Sequence, residues 1–256
     1  MPLVAVRADE EAVAAFAAER ITTLVEQAIA AHGTALVCLT GGRTPQRVYE
    51  LLADRRRPWR MRTEWERVHL FWGDERHVPP DHPDSNFGMA SRALVGRVPI
   101  PAAQVHRVRA ERPDATAAAR DYDAALGRSF AAAGRAGTTF DVMLLGLGED
   151  AHIASIFPGS GLLTGELGDP DQRVAAVWAA RQGAWRITLT PRALLDARAI
   201  VMIVAGAAKA DAVRAALDLS DEVTRWPAQL LRAADDRVEW IMDAAAAARR
   251  PAAPRA

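Results

Sequence analysis

Apolar residues in this chain fall into two patterns. Short continuous runs at 35–39, 68–72, 140–145 and 200–204 are rich in strand-compatible side chains, and each gives way within two positions to glycine. Weaker runs of the same kind occupy 174–178, 187–189 and 238–242. Between them, apolar positions recur with helical spacing over 9–32, 44–54, 85–96, 114–133 and 206–217. The first of these helices opens on acidic residues and stops at Gly33, and the second has Pro45 in its first turn. The stretches 55–60, 77–86, 99–113 and 160–171 are charged, Pro-rich or Gly-rich and read as breaks or loops. Strands alternating with helices predict an α/β fold with a mainly parallel sheet covered on both faces. No repeat or shift in composition divides 1–243, which reads as a single domain. The Ala/Arg/Pro tail at 244–256 is expected to fray.

In such a fold, chemistry gathers where strands end, so the turns after the runs carry the candidates. After the first comes Thr40-Gly41-Gly42-Arg43-Thr44-Pro45. Its amides and the helix N-terminus can hold a phosphate, or the paired glycines can simply make a tight turn; the residues alone leave these readings level. It is neither a Walker loop nor a dinucleotide fingerprint. After the second run come Asp74, Glu75 and Arg76, and the planar fork of an arginine suits an oxyanion. After the third comes Gly146-x-Gly148, then Glu149, Asp150 and His152. A carboxylate two residues from an imidazole is a candidate acid–base pair, since histidine is the side chain most readily tuned near neutral pH. Ser155 lacks the Gly-x-Ser-x-Gly surround of a nucleophile and reads as a hydrogen-bonding residue. His32 and His106 read as surface or loop residues and His69 as structural, and no histidine has metal-ligand spacing.

Composition narrows the partners. The 256 residues carry 32 basic and 32 acidic side chains, a formal net charge of zero, which argues against nucleic acid as the main partner. No run is long and apolar enough for a membrane span, and the first residues do not resemble a signal peptide. Cys38 is the one cysteine, so no internal disulfide is expected; a cytoplasmic location fits both facts. Lys209 is the only lysine among the 32 basic residues. Where arginine serves as the general cation, a lone lysine following an apolar strand marks a place where a compact ammonium is wanted.

The segment Gly146-x-Gly148-x-Asp150-x-His152-x-Ala154-Ser155-x-Phe157-Pro158-Gly159 resembles the signature of 6-phosphogluconolactonases, within the sugar-phosphate isomerase/deaminase-like superfamily. Leu39–Pro45, Phe71–Val78, Arg186–Thr190, Val204–Lys209, Trp226–Leu231 and Val238–Asp243 match in family order. The resemblance implies a three-layer α/β/α fold and hydrolysis of 6-phospho-D-glucono-1,5-lactone, with no metal or organic cofactor and a small phosphorylated lactone as partner. It implies His152 as general base with Asp150 beside it, and substrate contacts at Gly41, Gly42, Arg43, Thr44, Asp74, Arg76, Ser155 and Lys209. A monomer or small homo-oligomer is expected. The family usually has glycine where this chain has Ala151. Two alternatives stand beside this reading. One is an amino-sugar-phosphate deaminase/isomerase, whose Asn-Glu-Pro stretch is replaced here by Ser155-Ile156-Phe157-Pro158. The other is a sugar-phosphate-binding regulator without turnover.

Overall fold

The computed structural model describes residues 2–135, 140–167 and 171–251. Six strands form a parallel sheet in the order β1-β9-β8-β5-β2-β3, namely Leu3–Arg7 (β1), Ala35–Leu39 (β2), Val68–Trp72 (β3), Val142–Leu145 (β5), Ala199–Val204 (β8) and Val238–Asp243 (β9). The central strands β2 and β5 are buried along their whole length, which is why they read as continuous apolar runs with no alternation. Asp74–Arg76 (β4), Val174–Ala179 (β6) and Ala184–Leu189 (β7) make a separate antiparallel sheet in the order β4-β7-β6. Two of the three weaker runs, 174–178 and 187–189, therefore belong to a second, smaller sheet, the third becomes β9, and the parallel sheet gains β1 at its edge. Leu3 and Val6 of β1 are exposed, so its short apolar run lies on an edge strand that is not buried like the central ones.

The helices are Glu10–His32 (α1), Arg43–Ala53 (α2), Pro58–Arg62 (α3), Asn86–Ala93 (α4), Ala115–Ala132 (α5), Gly161–Thr164 (α6), Pro191–Leu195 (α7), Ala210–Asp218 (α8) and Ala244–Ala247 (α9). Their ends follow the signals in the sequence. Asp9 accepts from the Ala12 amide at the start of α1, and Gly33 closes it at φ 78°, donating to the Ile29 carbonyl. Asp114 caps α5 through the amides of Thr116 and Ala117. Helix α1 packs on α2, α3 and the parallel sheet, and α5 packs on β6 and β7.

Three expectations need correction. The charged break at 55–60 contains the start of α3, where Pro58 opens the helix and Trp59 is buried. The loop at 160–171 contains α6, capped by Ser160; residues 168–170 of it lie outside the described residues. The tail does not fray from Ala244. Asp243 caps α9 through the Ala246 amide, Ala246 is fully buried, and Arg250 pairs with Asp218. The last part of the expected tail, 252–256, lies outside the described residues.

The chain runs from β2 outward to β3, then returns to place β5 on the other side of β2. The turns after β2 and β5 therefore diverge, opening a crevice at the carboxyl ends of the strands.

Candidate active site

A cavity of about 360 Å³ occupies that crevice, and a second lobe of about 370 Å³ adjoins it. Gly41, Gly42, Gly146, Leu147 and Lys209 line both lobes. Asp74, Arg76, His152 and Ser155 face the first; Arg43 and Thr44 face the second. Every candidate except Asp150 lines this cleft, and Asp150 is bonded to His152 at its edge.

The floor is built by the glycine turn. The buried Tyr49 hydroxyl donates to the Thr40 carbonyl at 2.8 Å and accepts from the Thr40 amide at 2.9 Å, fixing the chain as it leaves β2. A Cβ on Gly41 would lie 1.9 Å from Asn86 Oδ1, so only glycine lets the turn and α4 approach. Gly42 takes φ 109° and begins α2 with no side chain capping its first amides. Those amides carry the positive end of the helix dipole. Thr44 is less free than its place in the turn suggests, because its hydroxyl donates to Glu10 Oε1 at 3.0 Å.

The second wall comes from β4. The Asp74 carboxylate is buried, accepts from the Ser155 hydroxyl at 2.6 Å and meets Asn86 Nδ2 at 3.3 Å. Ser155 thus holds Asp74 rather than standing free as a donor or nucleophile. Glu75, behind it, accepts from the amides of Arg76, Asn86 and Phe87 and from the Ser85 hydroxyl. Burial raises its pKa despite these bonds, with Asp74 adding to the rise. It secures the start of α4 and the backbone of Arg76. Across the β4–β7 ladder, Arg76 faces Arg186, which also lines the cavity. Burial and then the neighbouring Arg76 charge push the Arg186 pKa down. Two guanidiniums half-buried side by side repel, and a dianion between them would relieve that cost.

The third wall is the loop after β5. Gly148 donates to the His152 carbonyl at 2.9 Å and accepts from Ala151 at 3.1 Å, closing a tight loop. Inside it, Asp150 Oδ1 lies 2.6 Å from His152 Nδ1. The hydrogen bond from His152 holds the Asp150 carboxyl down at about 2. An ionised carboxylate only accepts, so Nδ1 carries the proton and Nε2 presents its lone pair. Nε2 has no partner among the described residues. The Phe157 ring sits 4.7 Å from the imidazole and limits its rotation. Arg181, largely exposed, approaches the other Asp150 oxygen at 3.6 Å.

The low Asp150 pKa sets a pH dependence of stability. A group depressed in the folded state contributes stability above its ordinary value of 3.8 that is lost as pH falls toward about 2. In urea unfolding, the stability advantage of wild type over Asp150→Asn should therefore narrow between pH 4 and pH 2. A constant difference across that range would contradict the assignment.

Backbone strain is stored here too. Ala151 and Ala154 adopt left-handed conformations, at φ 61° and 47°. Ala151 is fully buried, so its methyl group offsets part of the strain through packing. Ala154 is only half-buried. Left-handed alanine costs about 1–2 kcal/mol and glycine loses about 0.5–1 kcal/mol of unfolded-chain entropy, so Ala154→Gly should stabilise by about 0.5 kcal/mol. A raised urea midpoint checks this.

A family model described as glucosamine-6-phosphate isomerases/6-phosphogluconolactonase matches residues 8–240. The chain belongs to this family. The 6-phosphogluconolactonase of Mycobacterium tuberculosis is 37% identical over 247 residues, 95% of this chain and 96% of the relative. That of Synechocystis is 36% identical over 223 residues, 87% and 88% of the two chains. The solved 6-phosphogluconolactonase from Trypanosoma brucei superposes with a TM-score of 0.83 at 29% identity, covering 98% of this chain and 99% of that one. A monomeric glucosamine-6-phosphate deaminase superposes with a TM-score of 0.79 at 20% identity over 97% of this chain and 100% of that one, a likeness of fold alone.

Within this isomerase/lactonase family fold, three lining residues escaped the sequence reading: Asn86, Gln182 and Arg186. Arg186 carried a signal, since a charge opens the otherwise strand-like run 186–190 on which the family resemblance partly rests. Asn86 and Gln182 carried none, because they reach the cleft from the start of α4 and from the β6–β7 hairpin tip, whose positions depend on the whole fold. Lys209 lines both lobes, and none of the described residues pairs with its ammonium. Among the described residues, no group of three or more His, Cys, Asp or Glu is placed to hold a metal ion. No described helix is long and apolar enough to cross a membrane.

Proposed function

We propose that this protein hydrolyses 6-phospho-D-glucono-1,5-lactone to 6-phosphogluconate, the lactone-opening step of the oxidative pentose phosphate pathway. The observation that carries the proposal is the Asp150–His152 pair at the edge of a cleft lined by Arg76, Arg186 and Lys209. An imidazole aligned by a carboxylate accepts a proton from water at Nε2 as the water oxygen attacks the lactone carbonyl. Asp150 holds the Nδ1 proton and offsets the charge of the imidazolium that forms. The tetrahedral oxyanion then collapses and the bond to the ring oxygen breaks. His152 returns the proton to that oxygen, giving the open hydroxy acid. Such base catalysis is worth about 10²–10⁴-fold.

The cations divide between two negative charges, the substrate phosphate and the oxyanion that develops during attack. Holding the phosphate, remote from the reacting carbonyl, also orients the ring. Asp74, fixed by Ser155 and Asn86, presents an acceptor for a sugar hydroxyl.

A ring-opening deaminase would need another acid where Phe157 packs against His152, so the arrangement favours the lactonase. The test is hydrolysis of freshly prepared lactone, coupled to 6-phosphogluconate dehydrogenase and measured against the spontaneous rate. Acceleration over that blank is expected. Its absence, with release of ammonia from glucosamine 6-phosphate, would overturn the proposal.

A further inference from the structure

A cavity of about 440 Å³ lies away from the cleft and shares no lining residue with it. It sits beyond the edge strand β3, where Val105 bridges to Leu70, between segment 105–112 and α5. Arg107, Arg109 and Arg112 project from the segment, Asp121 and Arg128 from α5, and His106 lies at the junction. His106, read as a surface or loop residue, lies in a loop, but its ring is half-buried, stacks on Phe71 with centroids 4.5 Å apart, and lies 3.1 Å from His69 Nδ1. Burial lowers its pKa to about 4, so it adds a neutral polar wall and no charge near neutrality.

The arginines are of two kinds. Arg107 forks onto Glu111 with both contacts at 2.8 Å, and Arg112 pairs with Asp121 at 2.7 Å. The side chains of Arg109 and Arg128 have no hydrogen bond or ion pair among the described residues. Four guanidiniums against the two carboxylates Glu111 and Asp121 leave two positive charges in excess at one concavity. Guanidiniums facing a cavity with no carboxylate at ion-pair distance also mark the cleft, at Arg76 and Arg186. Such an arrangement raises the local concentration of anions and presents planar donors suited to phosphate oxygens. The volume falls within the range of small-molecule sites.

We propose that this cavity is a second anion-binding site, distinct from the cleft, for a small metabolite bearing two phosphate groups. Arg109 and Arg128 each take one anionic group, and Arg112 supplies a further donor from behind. A ligand with two anionic groups matches the two positive charges in excess, whereas a monoanion engages only one of the two free guanidiniums.

Calorimetric titration with inorganic pyrophosphate at low ionic strength tests this. The background is Arg76→Gln/Lys209→Gln, which disables the cleft and leaves the second cavity intact. This protein should bind one pyrophosphate per chain. Adding Arg109→Gln and Arg128→Gln, both exposed positions, should weaken binding at least tenfold while circular dichroism stays unchanged. No binding by the cleft-disabled protein, or unchanged affinity after the second pair of substitutions, would overturn the proposal. Because the readout is binding in a protein without a working cleft, its outcome is independent of the lactonase reading.

Discussion

His152→Ala is expected to lower kcat by about 10²–10⁴ and to leave KM within a few fold. The asymmetry follows from where the ring sits. His152 Nδ1 is committed to Asp150, and Nε2 is the one atom of the pair free to take a proton from water. The cations and the glycine turn proposed to hold the ground-state substrate lie on other elements, β4, β7 and the starts of α2 and α8. Removing the imidazole therefore removes an interaction made mainly in the transition state. The side chain is only partly buried, with 31% of its surface accessible, so its loss should not unfold the domain. The coupled lactone assay corrected for spontaneous opening checks the rate, and a thermal melt checks the fold. Near-normal turnover by a folded variant would rule out His152 as the base.

Gly148→Ala should cost about 10²-fold in kcat while leaving every reacting group in the sequence. A Cβ on Gly148 would stand 2.0 Å from His152 Nδ1 and 2.7 Å from Asp150 Oδ1, distances that real Cβ contacts do not reach. Gly148 is not in a left-handed conformation, so backbone strain is not the obstacle. The added methyl must push the imidazole, the carboxylate or both out of line. A displacement near 1 Å is enough for a loss of this size. The decisive comparison is with Gly148→Ala/His152→Ala. If the glycine acts only through the pair, the double variant should be no slower than His152→Ala alone. An additional large loss in the double variant would mean that Gly148 serves some other part of the cleft.

The strands whose ends carry the chemistry were legible because both their faces are buried. Strands β2, β5 and β8 show unbroken apolar runs, β3 one interrupted only by His69, and the glycine after each marks where the chain must turn. His152 and Asp150 were legible from position alone, two residues apart just past such a turn. What remained hidden depends on contacts between distant segments. Strand β4 is three residues long and charged, so no pattern announces it. It forms because β7 pairs with it from far along the chain. The Arg76–Arg186 opposition exists only through that pairing. Thr44, a substrate contact implied by the family resemblance, lines the second lobe, but its hydroxyl donates to Glu10 of α1, a partner that no local pattern announces. The helix α9 escaped notice because alanine and arginine repeats read as low complexity, and only Asp243 and the packing of Ala246 give it order.

Gly73 is the single residue between β3 of the large sheet and β4 of the small one. Its N–H donates to Leu39 in the parallel sheet at 2.9 Å, and its carbonyl accepts from Leu189 of β7 at 2.8 Å. The two sheets are thus the jaws of a caliper with Gly73 as its pivot. One jaw carries the imidazole, and the other carries the paired guanidiniums. Ser155 bridges them, its amide reaching Thr188 on β7 and its hydroxyl reaching Asp74 on β4. The opening of the jaws is fixed by backbone pairing and one short side-chain strap, not by the bulk of any lining residue. Selectivity for substrate length should then respond to changes at the pivot or the strap more than to resurfacing the walls.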